Sequence, residues 1–352
     1  MSRPYPFLEP GFFEALQLSG ATGEQTGWQP AHLQRGGDFW MPLWLKSHNR
    51  GEYVFDHGWA EAYTRHGLPY FPRLVTAVPF SPVTGPRWRG KLDPDWLRQM
   101  IDDALARHGA SSWHLLFADA DAVAQLEGWP LAHRLGCHFR WFNRGYADFD
   151  AFLSALTSRR RKSIRRERLA AQQAGLDIRL MAGDEIPAHW WPDLYRCYAA
   201  TFYKRGQRPY LPEQFFLLLA QSALCAQMMV AVALRDQRPV AMAFYLFDDQ
   251  RLYGRYWGAL EEVDGLHFEL CYYCGIEFCI ARGLVEFDPG VQGEHKILRG
   301  FEPVITHSLH WMAQPEFHRA VTDFCVREGQ MVERYRQDAR QLLPFRNANQ
   351  AQ

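Results

Sequence analysis

The densest group of side chains that could do chemistry lies between positions 290 and 299. Its polar members are Gln292, Glu294, His295, Lys296 and Arg299. A carboxylate, an imidazole and an ammonium in consecutive positions could hold an anion, orient an amine and move a proton. Gly290 and Gly293 would let the backbone approach a ligand closely. A solvated turn is the alternative explanation for the same residues.

A second group lies on a helix predicted over residues 266–282. His267 and Cys271 share one face of this helix, because residues four apart are neighbours. Glu269 and Tyr273 share a face for the same reason. His267 and Glu269 are therefore further candidates for proton transfer. Both also have a structural explanation, since Glu269 suits the helix dipole in the first turn and His267 suits a hydrogen-bonded core position.

A third group ends the strand before that helix and consists of Arg255, Tyr256, Trp257 and Gly258. This junction resembles the donor-binding turn of GCN5-related acyltransferases, which carries Gln/Arg-x-x-Gly-x-Gly/Ala. Arg255 and Gly258 match that motif, whereas Leu260 stands where it has Gly or Ala. The resemblance implies backbone amides that hold the pyrophosphate of an acyl donor.

Six of the eight residues from Arg159 to Arg166 are cationic. Like charges repel, so such a run favours an anionic partner. Residues 159–168 could therefore contact phosphate groups, including those of a tRNA. A solvated helix face with Ile164 pointing inward is the alternative.

The site could instead lie in the first half of the chain, around Lys46, His48 and Arg87. Arg87 ends the segment Pro82-Val83-Thr84-Gly85-Pro86-Arg87, whose prolines exclude a helix and a central strand. We therefore predict an ordered loop there. The three residues are candidates for binding a substrate or donor.

The periodicity of apolar residues predicts a mixed α/β fold. A hairpin of strands is predicted over 41–48 and 52–56, and one long helix over 149–173. Three antiparallel strands are predicted at 228–234, 239–247 and 251–257. We expect an N-terminal domain over 1–146, a second domain over 147–315, and a C-terminal helix and tail over 316–352.

Composition excludes several classes of protein. The 352 residues carry 39 Lys+Arg and 39 Asp+Glu, which disfavours a nucleic-acid binder with a basic field over a whole domain. Seven cysteines without metal-like spacing favour free thiols in a reducing compartment and no metal. P-loop, Rossmann, Gly-x-Ser-x-Gly and His-Glu-x-x-His motifs are missing. With no targeting segment or membrane span visible, we expect a cytoplasmic protein.

Several motifs in order along the chain resemble one family. They are residues 82–87, 161–168 (Arg-Lys-Ser-Ile-Arg-Arg-Glu-Arg), 252–258 (Leu-Tyr-Gly-Arg-Tyr-Trp-Gly), 266–269 (Leu-His-Phe-Glu), 292–296 (Gln-Gly-Glu-His-Lys), 299–301 (Arg-Gly-Phe) and 306–311 (Thr-His-Ser-Leu-His-Trp). Together they resemble the bacterial predicted N-acyltransferases related to the Fem peptidoglycan aminoacyltransferases, over residues 5–335.

The resemblance implies two tandem GCN5-related N-acetyltransferase-like domains that face a shared cleft. It implies mixed, largely antiparallel sheets flanked by helices, followed by the C-terminal helix. The implied reaction transfers an acyl or aminoacyl group to an amine of a small molecule or a cell-wall precursor. The donor would be an acyl-CoA or an aminoacyl-tRNA, with no permanently bound cofactor.

The mechanism that this implies is direct attack of the amine on the donor carbonyl. Glu269, Glu294 or His295 would remove the amine proton. Amides near residues 256–258 would polarise the carbonyl. Cationic side chains would hold a phosphate or a carboxylate of the substrates, and they are Arg255, Lys296 and Arg299.

A binding protein without turnover is the alternative from another functional class, since a fold does not by itself confer activity. It would recognise a peptidoglycan or amino-sugar ligand. Aromatic rings such as Tyr256, Trp257 and Trp311 would then stack on that ligand.

Overall fold

The computed structural model describes residues 3–291 and 293–346. The strands in chain order are β1 (Trp28–Pro30), β2 (Leu33–Arg35), β3 (Phe39–Met41), β4 (Trp44–Lys46), β5 (Arg73–Thr76), β6 (Ser112–Ala118), β7 (Ala132–Phe142), β8 (Asp177–Ala182), β9 (Met228–Arg235), β10 (Arg238–Phe247), β11 (Arg251–Ala259), β12 (Glu286–Asp288) and β13 (Glu302–Met312). The helices are α1 (Pro10–Leu18), α2 (His57–Arg65), α3 (Pro94–His108), α4 (Ala120–Gln125), α5 (Phe149–Ala155), α6 (Ser158–Gln173), α7 (Trp191–Tyr203), α8 (Glu213–Gln221), α9 (Leu266–Phe268), α10 (Cys274–Arg282) and α11 (Pro315–Gln341). The expected fold class is confirmed: helices flank mixed, largely antiparallel sheets, and a long helix lies near the C-terminus.

The chain forms two compact units. Unit 1 consists of the described residues in Met1–Ser19, His138–Val304 and Gln337–Gln352. Unit 2 consists of Gly20–Cys137 and Ile305–Arg336. The predicted domains are contiguous ranges, and the units differ from them most clearly at the N-terminus. There Phe7 packs its ring 5.2 Å from that of Tyr253, which belongs to unit 1. The predicted domain ranges stay a prediction.

Unit 1 has a sheet in the order β7-β12-β11-β10-β9-β8, with residues from His138 onward contributing from β7. β9, β10 and β11 are joined as antiparallel neighbours, and β11 pairs with β12 in parallel. β9 and β10 are buried along almost their whole length, as expected for near-continuous apolar runs covered on both faces. The strands predicted over 228–257 are thus confirmed.

Unit 2 has a smaller sheet in the order β1-β4-β5-β6-β13. β5 and β6 are parallel, and β6 pairs antiparallel with β13 at residues 307–312. α3 begins at an N-cap, where the Asp93 side chain accepts a hydrogen bond from the Trp96 amide. Its buried face, including Leu97 and Ile101, joins the core of this unit.

Two predicted elements are wrong in ways that have physical causes. Residues 52–56 do not form a strand, because Glu52 and Asp56 are buried and pair with Arg73. The helix predicted over 149–173 is two helices, α5 and α6. The break falls at Leu156, which is extended and forms a β-bridge with Phe345.

Candidate functional site

The helix after β11 is interrupted by a π-helical segment, Glu269–Tyr273, between α9 and α10. π segments are rare in helices and frequently lie at functional sites. This one bears Glu269, Tyr272 and Tyr273, and His267 lies two residues before it. The helix predicted over 266–282 is therefore confirmed in extent but has an irregular middle.

Beside this segment the structure brings together His267, Tyr272, His295 and Trp257 of β11, and we call these four residues the histidine cluster. The Tyr272 hydroxyl and the His295 Nε2 are 2.8 Å apart and share a hydrogen bond. The two imidazole ring centres are 6.0 Å apart. The Trp257 ring lies 5.2 Å from that of His267. All but Tyr272 are half-buried, so the cluster is within reach of solvent.

The electrostatics of the cluster favour neutral imidazoles. Burial, followed by the charges of Arg299 and Lys296, lowers the pKa of His295. Burial and the same neighbouring groups lower the pKa of His267 to about 4. A neutral imidazole keeps one nitrogen as a proton acceptor. His295 is the better base, because a pKa near 4 lies far from the range that suits proton transfer at neutral pH.

Glu269 lies in a different environment. Its side chain is buried, and both of its carboxylate oxygens accept hydrogen bonds from Arg168. Arg168 also donates to Glu277. Burial raises the pKa of Glu269, and the hydrogen bonds and charge of Arg168 act against that shift. In this structure Glu269 is one half of an ion pair, and its predicted role as a base stays a prediction.

Arg299 is likewise engaged inside the protein. Its guanidinium pairs with Glu167 at 2.9 Å and donates to the His295 carbonyl at 2.8 Å. The Tyr273 hydroxyl accepts a hydrogen bond from its Nε at 3.0 Å. These contacts tie the segment Glu294–Arg299 to α6, and thereby fix the backbone on which His295 stands.

Lys296 and Arg255 belong to a second buried group with Asp288. Arg255 pairs with Asp288 at 3.3 Å, and Lys296 donates to the Gly290 carbonyl. Burial lowers the pKa of Lys296 to about 8, against the charge of Asp288. Burial would raise the pKa of Asp288, but the charges of Arg255 and Arg140 hold it below its ordinary value. Arg255 Nε is buried and has no hydrogen-bond partner among the described residues.

The β11 residues of the third group differ in their surroundings. Tyr256 packs in an aromatic cluster, with its ring 5.4 Å from that of Tyr198. Gly258 faces α7 so closely that a Cβ there would lie 1.7 Å from the Cys197 carbonyl oxygen. Only glycine allows this approach of the helix to the strand. Gly258 therefore has a packing role, and its predicted contact with a donor stays a prediction.

Among the described residues, the edge of β11 beside the histidine cluster has no strand partner. Its ladder with β12 ends at the pair Tyr253 and Asp288, whereas β11 continues to Ala259. The Trp257 carbonyl accepts a hydrogen bond from the Thr201 hydroxyl at 2.7 Å, so that peptide faces away from β10. In an extended strand the amide and carbonyl of one residue point the same way. The Trp257 amide therefore faces the open edge too.

Two of the three candidates in unit 2, Lys46 and Arg87, are buried. Lys46 is buried, lies 3.8 Å from Glu52, and has its ammonium 3.7 Å from the centre of the Trp28 ring. His48 is half-buried, and its Nε2 lies 3.0 Å from the Thr26 carbonyl. Arg87 is buried and donates to four carbonyl oxygens, those of Val83, Pro86, Leu116 and Phe117. Each of these side chains has partners within the unit, and their predicted substrate contacts stay predictions.

Lys46 belongs to a larger buried group that we call the Arg73 cluster. Its members are Lys46, Glu52, Asp56, Tyr70, Arg73, His114 and His310. Arg73 pairs with both Glu52 and Asp56. The His114 and His310 rings share a hydrogen bond of 2.7 Å between their Nδ1 atoms. Two cationic and two acidic side chains balance one another in this cluster.

Two remaining candidates lie at the surface or outside the described residues. Glu294 is exposed. Gln292 lies outside the residues that the structure describes. In the basic run, Arg159, Lys162 and Arg166 are exposed on α6, and Ile164 is buried as expected.

The partners of the candidate residues leave little signal in the sequence. Tyr272 was not singled out, because the five-residue spacing from His267 is not a shared face in an α-helix. In the sequence, Glu167 and Arg168 stand out only as members of a charged run. Their partners Arg299 and Glu269 lie more than a hundred positions away, and spacing gives no signal over that distance.

The described ranges hold neither a candidate metal centre nor a candidate membrane-spanning helix. The side chains of His, Cys, Asp and Glu do not gather in groups of three or more that could hold a metal ion. Among the helices described, none has the length and apolar character needed to cross a membrane.

The model of one protein family matches residues 1–347, which is nearly the whole chain. That family is the FemAB-like family, described as acting in peptidoglycan biosynthesis or recognition. Among proteins with curated functions, none matches this sequence.

Solved structures with a similar fold include three that are covered almost completely. A C-terminal domain provisionally described as lysylphosphatidylglycerol synthetase, from Agrobacterium fabrum, has a TM-score of 0.55 at 10% identity, covering 90% of this chain and 96% of that one. L-PGS from Bacillus licheniformis has a TM-score of 0.53 at 10% identity, covering 93% and 97%. FemX has a TM-score of 0.51 at 9% identity, covering 91% and 95%. At these identities the likeness shows a shared fold alone.

Proposed function

Because this chain belongs to the FemAB-like family of peptidoglycan biosynthesis and recognition, we propose that it transfers an acyl or aminoacyl group from an activated donor to an amine. The observation that carries the proposal is the 2.8 Å hydrogen bond between Tyr272 and His295 in a half-buried aromatic site. The acceptor would be the amine of a small molecule or of a cell-wall precursor. The donor would be an acyl-CoA or an aminoacyl-tRNA.

His295 would act as the base. An amine attacks the carbonyl carbon of the donor, so that a C–N bond forms and the C–O or C–S bond to the leaving group breaks. The amine loses a proton to the imidazole, and the imidazole returns it to the departing oxygen or sulfur. The lowered pKa of His295 keeps the ring neutral and ready to accept that proton at neutral pH. Tyr272 holds the ring in place through its hydroxyl.

The open edge of β11 would stabilise the charge that develops on the carbonyl oxygen. The Trp257 amide faces that edge, and a backbone amide directed at a developing oxyanion is an effective stabilising group. Because the Trp257 ring contacts His267, this amide belongs to the same site as the proposed base.

Lys296 and Arg255 would hold an anionic group of a substrate. With a pKa of about 8, Lys296 is mostly cationic at pH 7. Its neighbour Arg255 retains a buried Nε without a partner in the described part of the chain. The two side chains therefore suit a phosphate or a carboxylate better than a neutral group.

One observation favours an aminoacyl-tRNA as the donor over an acyl-CoA. Arg159, Lys162 and Arg166 are exposed on one face of α6. Among the described residues, none of the three is paired with a carboxylate, which leaves a local basic surface on a chain of zero net charge. Such a surface suits the phosphates of a nucleic acid. FemX and L-PGS share the fold, and this likeness agrees with a transferase without identifying the donor.

Transfer is tested by mixing the purified protein with acetyl-CoA or aminoacyl-tRNA and a panel of amino-sugars and stem peptides. The products are identified by mass spectrometry. His295→Ala should lower turnover by ~10²–10⁴, the contribution typical of a general base. His189→Ala is the matched control, because His189 is an exposed histidine of the same unit, and its turnover should equal that of the wild type.

Turnover equal to that of the wild type in His295→Ala would show that His295 is not the base. Glu269 would then be the next candidate for that role. Ligand binding without transfer from any donor would favour the binding-protein alternative. A thermal-shift screen detects binding without transfer, since a ligand at 100 times its dissociation constant stabilises the native state by about 2.7 kcal/mol. In a binding protein, His295→Ala should keep that shift.

A further inference from the structure

We propose that two copies of this chain associate through their α11 helices, packed antiparallel about a twofold axis near residue 325. The surface involved lies on α11 and on the segment before α2, and all of it belongs to unit 2. We call its exposed apolar residues, Phe55, Phe324, Met331 and Tyr335, the α11 patch. The inference does not depend on the proposed function.

Three members of the α11 patch lie along one line of the helix. At about 100° per residue, positions seven and eleven residues beyond Phe324 lie within about 20° of it around the helix axis. Met331 and Tyr335 occupy those positions and are 57% and 39% exposed, and Phe324 itself is 37% exposed. Spacings of seven and four apolar residues are typical of helices that pack against a second helix.

One end of the α11 patch is held in place by Arg134. The Arg134 guanidinium donates to both carboxylate oxygens of Glu328, at 2.6 and 2.9 Å. It also donates to the Phe55 carbonyl at 2.8 Å and lies 5.8 Å from the centre of the Phe324 ring. The backbone of Phe55 and the ring of Phe324 are therefore already ordered. A surface that is ordered in advance loses less conformational entropy when a partner binds.

The charges beside the α11 patch identify a second copy as the partner. Glu316, Asp323, Arg327 and Arg334 are all exposed. They lie on the same side of the apolar line, about 60–100° from Phe324 around the helix. In chain order this edge of α11 is acidic in its first half and basic in its second half. An antiparallel second copy would place the acidic half of each helix beside the basic half of the other.

One register of the two helices satisfies both charge pairs. With the twofold axis at position 325, Asp323 faces Arg327 of the second copy, and Glu316 faces Arg334. Within one chain, Glu316 has a partner three residues on at 3.6 Å, but both side chains are 74% exposed and such a pair is weak. Asp323 and Arg327 form no ion pair with described residues of their own chain. The charges are thus available to a second copy.

The same register also joins the apolar residues. It brings the Phe324 rings of the two copies together at the axis. Met331 of one copy then lies beside Ala320 of the second, and Tyr335 lies beside Phe317. Ala320 is small and exposed, so it leaves room for the Met331 side chain, and Phe317 is half-buried and offers an aromatic contact. A contact of this isologous kind closes at two copies.

A membrane surface fits the α11 patch less well than a second copy does. Helices that lie on anionic membranes carry mainly Lys and Arg on their polar face. The exposed edge of α11 has two acidic and two basic residues instead, so it has no net charge to attract an anionic bilayer.

The length of the contact sets its expected strength. At about 1.5 Å of rise per residue, residues 315–336 of α11 span about 33 Å. A single pair of helices of that length falls at the low end of interface sizes, where complexes are weak and transient. We therefore expect a dimer with a dissociation constant in the micromolar range.

Sedimentation velocity of the chain over about 1–200 μM tests the association, and the wild type should shift from monomer to dimer across that range. Met331→Asp buries an unpaired charge in the contact and should raise the dimer dissociation constant at least about tenfold. Val326→Asp is the matched control, because Val326 is 59% exposed and lies on the opposite side of α11. It should dimerise as the wild type does. Circular dichroism checks that both variants fold.

An exchange of charges tests the antiparallel register. Arg327→Glu should weaken the dimer about fivefold, because it sets like charges against each other on both sides of the axis. The double variant Asp323→Lys/Arg327→Glu exchanges the two charges and should bring the dissociation constant back to within about twofold of the wild type.

Four outcomes would overturn the inference. The first is a monomer at every concentration, and the second is a dimer that Met331→Asp leaves unchanged. The third is a double variant that dimerises as weakly as Arg327→Glu. The fourth is a monomer that sediments with phosphatidylglycerol vesicles and loses that binding in Met331→Asp, which would identify the α11 patch as a membrane contact.

Discussion

Lys46 in unit 2 and Lys296 in unit 1 are both buried lysines, and each lies near an arginine and a carboxylate. Burial lowers the pKa of each. The side chains around the two lysines differ in their exposure to solvent. Around Lys46, the members of the Arg73 cluster are all buried, histidines included. Around Lys296, the neighbouring His267 and His295 are half-buried.

The difference separates a structural ionic network from a candidate site. Within the Arg73 cluster the two cations and two carboxylates face one another, so the charges are compensated internally. The histidine cluster instead has neutral rings, an open strand edge and a cationic neighbour. The same residue types therefore stabilise a fold in one unit and could bind and transform a ligand in the other.

The largest expected effect is on stability, at Arg73. Arg73→Met should lower the free energy of unfolding by about 3–5 kcal/mol, because it leaves the buried Glu52 and Asp56 without their shared partner. Urea denaturation followed by circular dichroism measures the change. Arg165→Ala, which breaks an exposed pair with Asp150, should cost less than about 1 kcal/mol. Similar losses in the two variants would show that the Arg73 cluster is not a stabilising network.

An acid-dependent loss of stability is the second effect. Burial, followed by the charges of Arg73 and His310, lowers the pKa of His114 far below 6.5. As the pH falls below about 6.5, the unfolded chain takes up a proton at this residue and the folded chain does not. The contribution of His114 to the free energy of unfolding is therefore present above that pH and is lost below it. For one such histidine, the free energy of unfolding should fall by about 2 kcal/mol between pH 7 and pH 5.

His114→Gln tests that effect through the slope of unfolding free energy against pH, whatever the variant's stability at pH 7. The slope between pH 7 and pH 5 should become shallower by about 1 kcal/mol per pH unit. The exposed His66 serves as the control, and His66→Gln should leave the slope unchanged. An unaltered slope in His114→Gln would mean that this histidine is protonated in the folded protein.

The smallest expected effect concerns the hydrogen bond of the histidine cluster. Tyr272→Phe should slow transfer by about 2- to 10-fold, the value of one hydrogen bond. Tyr63→Phe is the matched control in unit 2, because Tyr63 is buried and its hydroxyl has no partner among the described residues. A transfer rate equal to that of the wild type in Tyr272→Phe would show that Tyr272 does not position His295.

The elements with strong apolar periodicity could be predicted from the sequence, and the charged pairs could not. β9, β10 and β11 form where continuous apolar runs predict them. The alternating pattern of residues 52–56 predicts a strand. In the structure Glu52 and Asp56 are instead buried and form ion pairs with Arg73. No local pattern reveals a partner that is chosen by tertiary packing.

The candidate site divides in the same way. His267, His295 and Trp257 are separate in sequence, and the structure brings their rings together, which the sequence did not predict. Arg299 and Glu269 were predicted to act on ligands, whereas in the structure they bond to Glu167 and Arg168 of α6. Glu167 and Arg168 belong to the charged run on α6, whose sequence indicated only a basic helix face.

The π segment at Glu269–Tyr273 also has an evolutionary consequence. A π turn holds more residues than an α turn, so it accommodates about one additional residue without disturbing the helix on either side. Loss of a single codon there would rotate His267 by about 100° relative to α10. Point mutations in this stretch alter one side chain at a time, whereas a one-residue deletion would displace the imidazole from its neighbours in a single step.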